Sequence, residues 1–381
     1  MKIGVIKELQ PERRVALTPE GVRSLKTMQC DILIEKDAGV SAFYANYKYE
    51  DAGATIISRR EVLSGSDLLL MINPLPEREM GDITPGCMVA GCFNPFQNEA
   101  FVKKLQHTAI TSFSMELVPR TTRAQAMDIL SSMATIAGYK AVLEAASKLP
   151  RFFPMFMSAA GTIKPTKVLI LGAGVAGLQA LAVARKLGAV VEVFDVRSAV
   201  KEEVMSLGGK FIEVEGAKED SAAGGYAVEQ SDAFRKKQGE LIHQHAVKSD
   251  VIIATAQVPG KKAPLLIRTE TVEAMNRGSV IIDLAASTGG NCECTENDKT
   301  VVVHGVTVIG KSDFPSDMPS DASHMYSNNM INFLKLLISK DGKLNLDFTD
   351  DILKGTCLTH KGEIVNERIR NAMSRDEDTR N

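Results

Sequence analysis

The chain has 381 residues, a formal net charge of −2, 44% hydrophobic residues, 6 cysteines and no tryptophan. This length predicts about two domains, and the apolar content is sufficient for ordinary hydrophobic cores. The near-neutral charge and the few aromatic residues argue against nucleic-acid binding, and cysteines without a CxxC pair indicate a reducing compartment.

The amino-terminal third of the chain alternates between strand-like and helix-like stretches. Residues 2–8 are predicted to form a strand, and their charges exclude a signal peptide. Thr18, Pro19 and Glu20 are typical of a helix start. Further strands are predicted at 31–35, 54–58, 67–72, 88–93 and 108–114. This alternation favours a parallel, doubly wound sheet, and no stretch is predicted to enter a membrane.

A polar segment follows at residues 116–132, and a helix is predicted from Gln125 to about Leu149. Helical spacing would place Gln125, Asp128 and Ser131 or Ser132 on one face. Such a face is usually solvated surface, but a position at the junction of two α/β domains favours a ligand cleft. Residues 152–168 have two strand-like halves and are predicted to form a hairpin whose apolar first half suits an interface.

Residues 167–197, KVLILGAGVAGLQALAVARKLGAVVEVFDVR, predict a strand, a glycine-rich turn, a helix and a second strand. Gly172 permits the tight turn, Gly174 lets backbone N–H groups approach a pyrophosphate, and Gly177 lets the helix lie close to the strand. The helix N-terminus attracts the anion. The GxGxxG spacing in this setting therefore predicts dinucleotide binding.

Asp195 ends the second strand, where an acceptor for a ribose 2′-hydroxyl is expected. A 2′-phosphate beside this carboxylate would be repelled by about 4 kcal/mol per charge pair at 4 Å and an effective dielectric of 20. NAD(H) is therefore favoured over NADP(H), although Arg197 leaves NADP(H) open.

Beyond Asp195 the nucleotide domain is predicted to continue with strands at 210–214, 250–256 and 279–285 and a helix at 233–247. The long polar loop 216–232 is either a lid over a bound cofactor, carrying Tyr226, or a disordered insertion. The loops 255–260 and 286–291 are candidate cofactor contacts. No metal site is predicted, because His243 and His245 point in different directions on a helix and residues 292–294 lack further ligands at zinc spacing.

The end of the chain predicts a hairpin at 301–311, a helix at 322–339, short elements after residue 340 and a charged, frayed tail at 367–381. The helix at 322–339 is expected to pair with the helix ending near 149 as a second bridge. The predicted fold class is therefore α/β, with two Rossmann-like doubly wound parallel-sheet domains joined by two bridging helices. The domains are residues 1–137 with 322–381, and residues 138–321.

Five motifs occur in order along the chain: RVALTP at 14–19, RTTRAQAMDILSSMATIAGY at 120–139, GAGVAGLQA at 172–180, FDVR at 194–197, and SVIIDLA with GGNC between 279 and 292. In these motifs the chain resembles the alanine dehydrogenase and transhydrogenase superfamily over nearly its whole length. Within that superfamily it looks most like the NAD(H)-binding components of proton-translocating NAD(P) transhydrogenases.

The resemblance implies a hydride transfer between NADH on this chain and NADP+ on a separate NADP(H)-binding component, coupled to proton movement through a transmembrane component. It also implies a homodimer, formed through residues 152–168, and a cytoplasmic location, peripheral on the inner membrane through partner subunits.

The resemblance also implies roles for individual residues. Arg120, Gln125 and Asp128 would be catalytic and, with Ser131, would surround the nicotinamide. The remaining candidate cofactor contacts are Gly172, Gly174, Val175, Ala176 and Gly177 at the pyrophosphate, Asp195, Val196 and Arg197 at the adenosine ribose, and Gly225, Tyr226, Gln238, Ala256 and Gln257 along the rest of the cofactor. Gln257 stands where a leucine is expected.

Two other functions are weighed against this one. Alanine dehydrogenases use a lysine and a histidine as proton-transfer groups, and the corresponding places here, residues 71–74 and 89–94, contain neither. Hydride exchange between two nicotinamides needs no general acid or base, so their absence favours transhydrogenation. A non-catalytic NAD(H) sensor is disfavoured because Arg120, Gln125 and Asp128 would have little use in it.

Overall fold

The computed structural model describes residues 1–214, 231–258 and 260–380, without the side chains of 375–380. The chain forms two compact units. Unit 1 comprises Met1–Met133 with Pro315–Asn381, and unit 2 comprises Ala134–Phe314.

The elements of the first 133 residues are β1 (Lys2–Val5), α1 (Pro19–Lys26), β2 (Asp31–Glu35), α2 (Asn46–Asp51), β3 (Thr55–Ile57), α3 (Arg59–Gly65), β4 (Leu68–Leu70), β5 (Met88–Gly91), α4 (Glu99–His107), β6 (Thr111–Ser114) and the start of α5 (Ile129–Lys148). Those that follow in unit 2 are β7 (Phe156–Ser158), β8 (Gly161–Ile163), β9 (Lys167–Leu171), α6 (Val175–Lys186), β10 (Val190–Phe194), α7 (Lys201–Ser206), β11 (Lys210–Ile212), α8 (Asp232–Ala246), β12 (Val251–Ala254), α9 (Thr269–Ala274), β13 (Val280–Asp283), β14 (Lys299–Val303) and β15 (Val306–Gly310). The chain ends in unit 1 with α10 (Pro319–Leu337), α11 (Asp351–Thr356), β16 (Cys357–His360), β17 (Glu363–Ile364) and α12 (Glu367–Arg380).

The sheet of unit 1 has the order β3-β2-β1-β4-β5-β6-β16-β17. Strands β1 to β6 are parallel, and β16 and β17 are antiparallel to their neighbours. Leu68 and Leu70 enter one hydrophobic core and Leu69 the other, which explains why β4 is apolar throughout. The predicted doubly wound fold is confirmed, with an antiparallel edge that was not foreseen.

The sheet of unit 2 has the order β11-β10-β9-β12-β13-β15-β14, and β14 alone in it is antiparallel to its described neighbour. Its parallel strands follow the winding order of Rossmann folds, in which the direction of winding reverses between β9 and β12. In such sheets the carboxyl ends of the two strands at this reversal are the usual place for a ligand.

Three expectations about helices differ from the structure. The helix predicted from Gln125 to Leu149 is interrupted at its start, because residues Thr122–Met127 form a 3-10 helix and Asp128 is extended, with φ −76° and ψ 90°, before α5 begins. Gln125 and Asp128 therefore do not share a helix face. The predicted frayed tail at 367–381 instead forms α12, which is anchored by the fully buried Ile369, and the short elements predicted before it include α11, β16 and β17.

The third difference concerns the two predicted bridging helices. Helix α5 contains the boundary between the units, at Met133 and Ala134. Helix α10 begins at Pro319, after the second boundary, and buries Tyr326 and Phe333 in the core of unit 1. The boundaries thus fall at 133/134 and 314/315, compared with 137/138 and 321/322 in the sequence prediction. Within the described ranges, no helix has both the length and the apolar content to cross a membrane.

Candidate functional site

The glycine-rich turn connects β9 to α6 at the carboxyl edge of the unit 2 sheet. Gly172 has a φ of 106°, a conformation that L side chains rarely adopt, and its N–H donates to the carbonyl oxygen of Phe194 at 2.8 Å. A Cβ on Gly177 would lie 1.8 Å from the carbonyl oxygen of Gly172. Only glycine at position 177 lets α6 lie this close to the strand.

The N-terminus of α6 is open for a ligand. Apart from Gly174 and its neighbours in the chain, no described atom lies within 4 Å of the position that a Cβ on Gly174 would occupy. Gly174 is the N-cap of this 12-residue helix, and it has no side-chain capping bond. Val175 is 41% exposed and Ala176 is half-buried. The backbone N–H groups of the first turn and the positive end of the helix dipole are therefore available to an anion.

Asp195 lies beside this turn and is fully hydrogen-bonded. Its Oδ1 accepts from the backbone N and the Nε of Arg197, both at 2.9 Å, and its Oδ2 accepts from Arg197 Nη2 and from Ala173 N, both at 2.7 Å. These hydrogen bonds raise the pKa of Arg197. The Asp195 side chain is 5% exposed and that of Arg197 is 25% exposed, so a ribose hydroxyl that reaches Asp195 must share it with Arg197. Val196 is half-buried against the neighbouring core.

A second loop reaches the same edge of the sheet after β12. Thr255 Oγ1 donates to the carbonyl oxygens of Leu171 and Gly172, at 3.2 and 3.0 Å. The half-buried Ala256 follows. Gln257 is exposed, and its Nε2 lies 3.4 Å from the carbonyl oxygen of Leu284 and 3.3 Å from Thr288 Oγ1. The loops after β12 and β13 are thus linked by hydrogen bonds.

Asn291 and Asp283 hold this pair of loops together. Asn291 lies in the predicted contact loop 286–291, whereas Asp283 was not predicted to have a role. The Asn291 side chain accepts from Ala256 N at 3.1 Å and donates to Ala256 O at 2.9 Å and to Pro264 O at 2.8 Å. Asp283 Oδ2 accepts from Asn291 N at 2.7 Å and from Thr295 Oγ1 at 2.7 Å. Both side chains are completely buried. The signal that could have found Asp283 is its place as the one acid closing the apolar strand β13.

Three further contacts were predicted, at Gly225, Tyr226 and Gln238. Gln238 is on α8 and is half-buried. Gly225 and Tyr226, together with most of the predicted lid at 216–232, lie outside the described residues.

The predicted catalytic residues are in unit 1. Arg120 and Gln125 are exposed, and Gln125 lies in the 3-10 helix that precedes α5. Asp128 caps α5, because its Oδ1 accepts from Ser131 N at 2.9 Å and its Oδ2 accepts from Ser131 Oγ at 2.7 Å. Asp128 and Ser131 are therefore brought together by a local capping interaction.

The place of the missing lysine contains Asn73, which contacts the buried carboxylate of Glu8 and the half-buried one of Glu12. Its Nδ2 lies 3.2 Å from Glu8 Oε2 and 3.3 Å from Glu12 Oε2. Burial raises the pKa of Glu8 to about 7. Burial alone would also raise the pKa of Glu12, but hydrogen bonds and charge from Arg14 lower it to about 2. No spacing in the sequence indicates this cluster, since Glu8 and Asn73 are 65 residues apart.

Comparison with known families covers both units. The family described as alanine dehydrogenase/PNT, N-terminal domain, matches residues 4–137, and the one described as alanine dehydrogenase/PNT, C-terminal domain, matches residues 141–367. The chain belongs to the alanine dehydrogenase/PNT family. The family resemblance inferred from the motifs is thus confirmed.

Within the alanine dehydrogenase/PNT family the chain is more similar to transhydrogenases than to alanine dehydrogenases. It is 46% identical over 379 residues to an NAD(P) transhydrogenase alpha-subunit protein of Rhodospirillum rubrum, covering 97% of this chain and 99% of that protein. A transhydrogenase structure from Sinorhizobium meliloti matches with a TM-score of 0.87 and 38% identity, covering 96% of this chain and 100% of that one. The alanine dehydrogenase of Staphylococcus haemolyticus is 27% identical over 387 residues, covering 98% of this chain and 96% of that protein.

Proposed function

We propose that this chain binds NAD(H) on the glycine-rich turn of unit 2 and exchanges a hydride with NADP(H) held by a partner component. In the complete enzyme this transfer is coupled to proton translocation through a membrane component. The chain is then peripheral on the cytoplasmic face of the inner membrane, attached through its partner subunits. The observation that carries the proposal is the open N-terminus of α6 beside Asp195, in a chain 46% identical to a transhydrogenase alpha-subunit protein.

The residues of the turn bind the pyrophosphate through backbone groups. Gly174 leaves room for the ligand, and the N–H groups of the first turn of α6 donate to phosphate oxygens. Asp195 and Arg197 hold the adenosine ribose, with Val196 beside it. Gln238, Ala256 and Gln257 contact the remainder of the cofactor. Asn291 fixes the conformation of the loop that contains Ala256 through its hydrogen bonds to the Ala256 backbone. Gly225 and Tyr226 contact the bound cofactor, and Tyr226 belongs to the proposed lid at 216–232.

Arg120, Gln125, Asp128 and Ser131 serve the nicotinamide end of the cofactor. Bound NADH supplies the hydride. The transfer needs close approach, orientation and exclusion of water, which are tasks for polar side chains held in fixed positions. The exposure of Arg120 and Gln125, and the capping bonds that fix Asp128 against Ser131, support this assignment.

The alternative activity, oxidative deamination of alanine, requires groups that take and return protons. At the places where alanine dehydrogenases have the lysine and the histidine, this chain has Asn73 and Asn94, whose side chains do not titrate. Nearby, burial raises the pKa of Cys92. Glu8 titrates near neutral pH, but its carboxylate is occupied by the N–H groups of Ile72 and Asn73. These observations favour transhydrogenation.

The active form is a homodimer joined through the β7–β8 hairpin. All six residues of the two strands are exposed, as are Phe152 and Met155 just before them. Phe152 and Phe156 stack with ring centroids 5.1 Å apart. A two-stranded hairpin is marginally stable in water on its own, and an exposed apolar surface of this kind is typical of protein interfaces.

The function is tested with the chain alone and with an NADP(H)-binding transhydrogenase component. NADH binding to the chain alone is followed by the fluorescence of the nicotinamide, which is simple because the chain has no tryptophan. Hydride transfer is followed with NADH and an NADP+ analogue whose reduced form absorbs away from NADH. We expect NADH binding by the chain alone and transfer only in the mixture. Alanine-dependent NAD+ reduction by the chain would overturn the proposal, and binding without transfer would support a sensor.

A further inference from the structure

The 3-10 helix that carries Gln125 is held by two asparagines of α10. Asn329 Nδ2 donates to the carbonyl oxygen of Ala126 at 2.8 Å, and Asn332 Nδ2 approaches the same oxygen at 3.3 Å. Ala126 directly follows Gln125 in the chain. Both bonds therefore act on the peptide next to the proposed nicotinamide contact.

Asn329 is the more constrained of the two asparagines. It is 7% exposed, whereas Asn332 is only half-buried. Its Oδ1 is buried and has no hydrogen-bond partner among the described residues. A buried polar atom without a partner destabilises the folded state, and an apolar side chain of the same shape would avoid that cost. Stability of the fold therefore does not explain an amide at this position, but the bond to Ala126 does.

The other described contacts of the 3-10 helix anchor it on either side of Ala126. Ala124 and Met127 are buried in the core of unit 1. Arg123 forms ion pairs with Asp350 and Asp351 at the surface, where such pairs hold a segment weakly and are screened by salt. Gln125 and Ala126 themselves are exposed. The buried amide of Asn329 is thus the firmest polar contact that this exposed part of the helix makes.

We propose that Asn329 is a positioning residue for Gln125. Its amide holds the Ala126 carbonyl and keeps the 3-10 helix in the conformation in which Gln125 meets the nicotinamide. Asn329 itself does not touch a substrate. This inference rests on the function proposed above and adds to it a residue that is 203 positions from the one whose carbonyl it holds.

The test compares Asn329→Leu with Asn332→Leu in the full chain. Asn329→Leu keeps the branching of the side chain at Cγ and removes both the donor and the unpartnered oxygen, so the melting temperature should change little. Asn332→Leu is the matched control, because it removes the longer bond to the same carbonyl. With the NADP(H)-binding component present, we expect Asn329→Leu to slow hydride transfer on the order of 10- to 100-fold, the effect of a misplacement of about 1 Å. NADH affinity of the chain alone should be unchanged.

A double-mutant cycle with Gln125→Ala shows whether Asn329 acts through Gln125. If it does, Asn329→Leu has little further effect on transfer once Gln125 is removed. In Asn329→Leu the backbone amides of residues 122–128 should also exchange their hydrogens faster, whereas exchange in α10 should be unchanged.

Each other outcome decides a different claim. Equal transfer rates for Asn329→Leu and Asn332→Leu would overturn the positioning role, and so would a parallel loss of NADH affinity and melting temperature. If the unsubstituted chain transfers no hydride, the proposed function fails instead. Hydrogen exchange then still decides whether Asn329 holds the 3-10 helix.

Discussion

Arg197 binds both oxygens of Asp195, with Nε 2.9 Å from Oδ1 and Nη2 2.7 Å from Oδ2. An arginine near this position is the usual partner of a 2′-phosphate in NADP-binding folds. Here the guanidinium is occupied by the neighbouring carboxylate. The proposed preference for NAD(H) then has two physical sources, which are repulsion of a 2′-phosphate by Asp195 and engagement of Arg197 by the same residue.

The first prediction concerns this pair. We expect Asp195→Ser to weaken NADH binding by about tenfold or more, because a hydrogen bond to a charged group contributes about 1.5–3 kcal/mol. NADPH binding should become tighter, because the repulsion is gone and Arg197 is released. Both dissociation constants are measured by nicotinamide fluorescence. The double variant Asp195→Ser/Arg197→Ala should lose the gain in NADPH affinity; if it keeps it, Arg197 has no part in selection.

The second prediction concerns the packing of α6. Gly177→Ala places a Cβ 1.8 Å from a backbone oxygen, and we expect unit 2 to lose about 1–3 kcal/mol of stability or more. Thermal unfolding measures the loss. Gly239→Ala on α8 is the control, since no described atom lies within 4 Å of its added Cβ; it should be stabilising by about 0.5–1 kcal/mol.

The third prediction separates binding from folding at the same turn. Gly174→Ala adds a methyl group in open space, so the melting temperature should be nearly unchanged. The methyl group would occupy the space where a pyrophosphate approaches the backbone, and we expect NADH affinity to fall about tenfold or more. Calorimetric or fluorescence titration measures it. Unchanged affinity would show that the pyrophosphate lies elsewhere.

The fourth prediction tests the dimer. Met157 is 68% exposed on the hairpin, and Met157→Glu should convert a dimer into a monomer by placing a charge in an apolar interface. Light scattering at micromolar concentration measures the mass. Met205→Glu is the control, because Met205 is 59% exposed on α7 and should leave the mass unchanged. A monomeric unsubstituted chain would contradict the homodimer.

The fifth prediction is a pH dependence of stability. Burial raises the pKa of Glu8 from 4.5 to about 7 in the folded chain, so the folded state binds more protons than the unfolded state between these values. The free energy of unfolding should therefore fall as pH rises from about 4.5 to 7, by roughly 3 kcal/mol from this group. Glu12, with its pKa lowered to about 2, acts in the opposite direction but below this window.

Glu8→Gln should make the fall in stability between pH 5 and 7 shallower, as measured by denaturant unfolding at several pH values; Glu116, whose pKa is also raised by burial, keeps a part of the slope. Glu50→Gln, at an exposed position of α2, is the control and should leave the slope unchanged. An unaltered slope in Glu8→Gln would show that another group causes the dependence.

The sequence could predict those parts of the fold and site that depend on residues close together in the chain. The strand, glycine turn and helix at 167–187 follow from an apolar run, the positive φ of Gly172 and the helical spacing that comes next. The doubly wound sheets follow from the alternation of strand-like and helix-like stretches along the chain. The sequence also shows directly that residues 71–74 and 89–94, the places where alanine dehydrogenases have a lysine and a histidine, contain neither residue.

Only the tertiary structure decided the interactions between residues far apart in the chain. The helix expected through Gln125 is interrupted because Asp128 caps α5 and Asn329, 203 residues from Ala126, holds the preceding turn. The charged tail becomes ordered because Ile369 finds a core to enter. Asp195 was predicted from its spacing, but its engagement by Arg197 depends on side-chain geometry. Local sequence sets backbone preferences over a few residues, whereas burial and distant hydrogen bonds exist only once the sheets have formed.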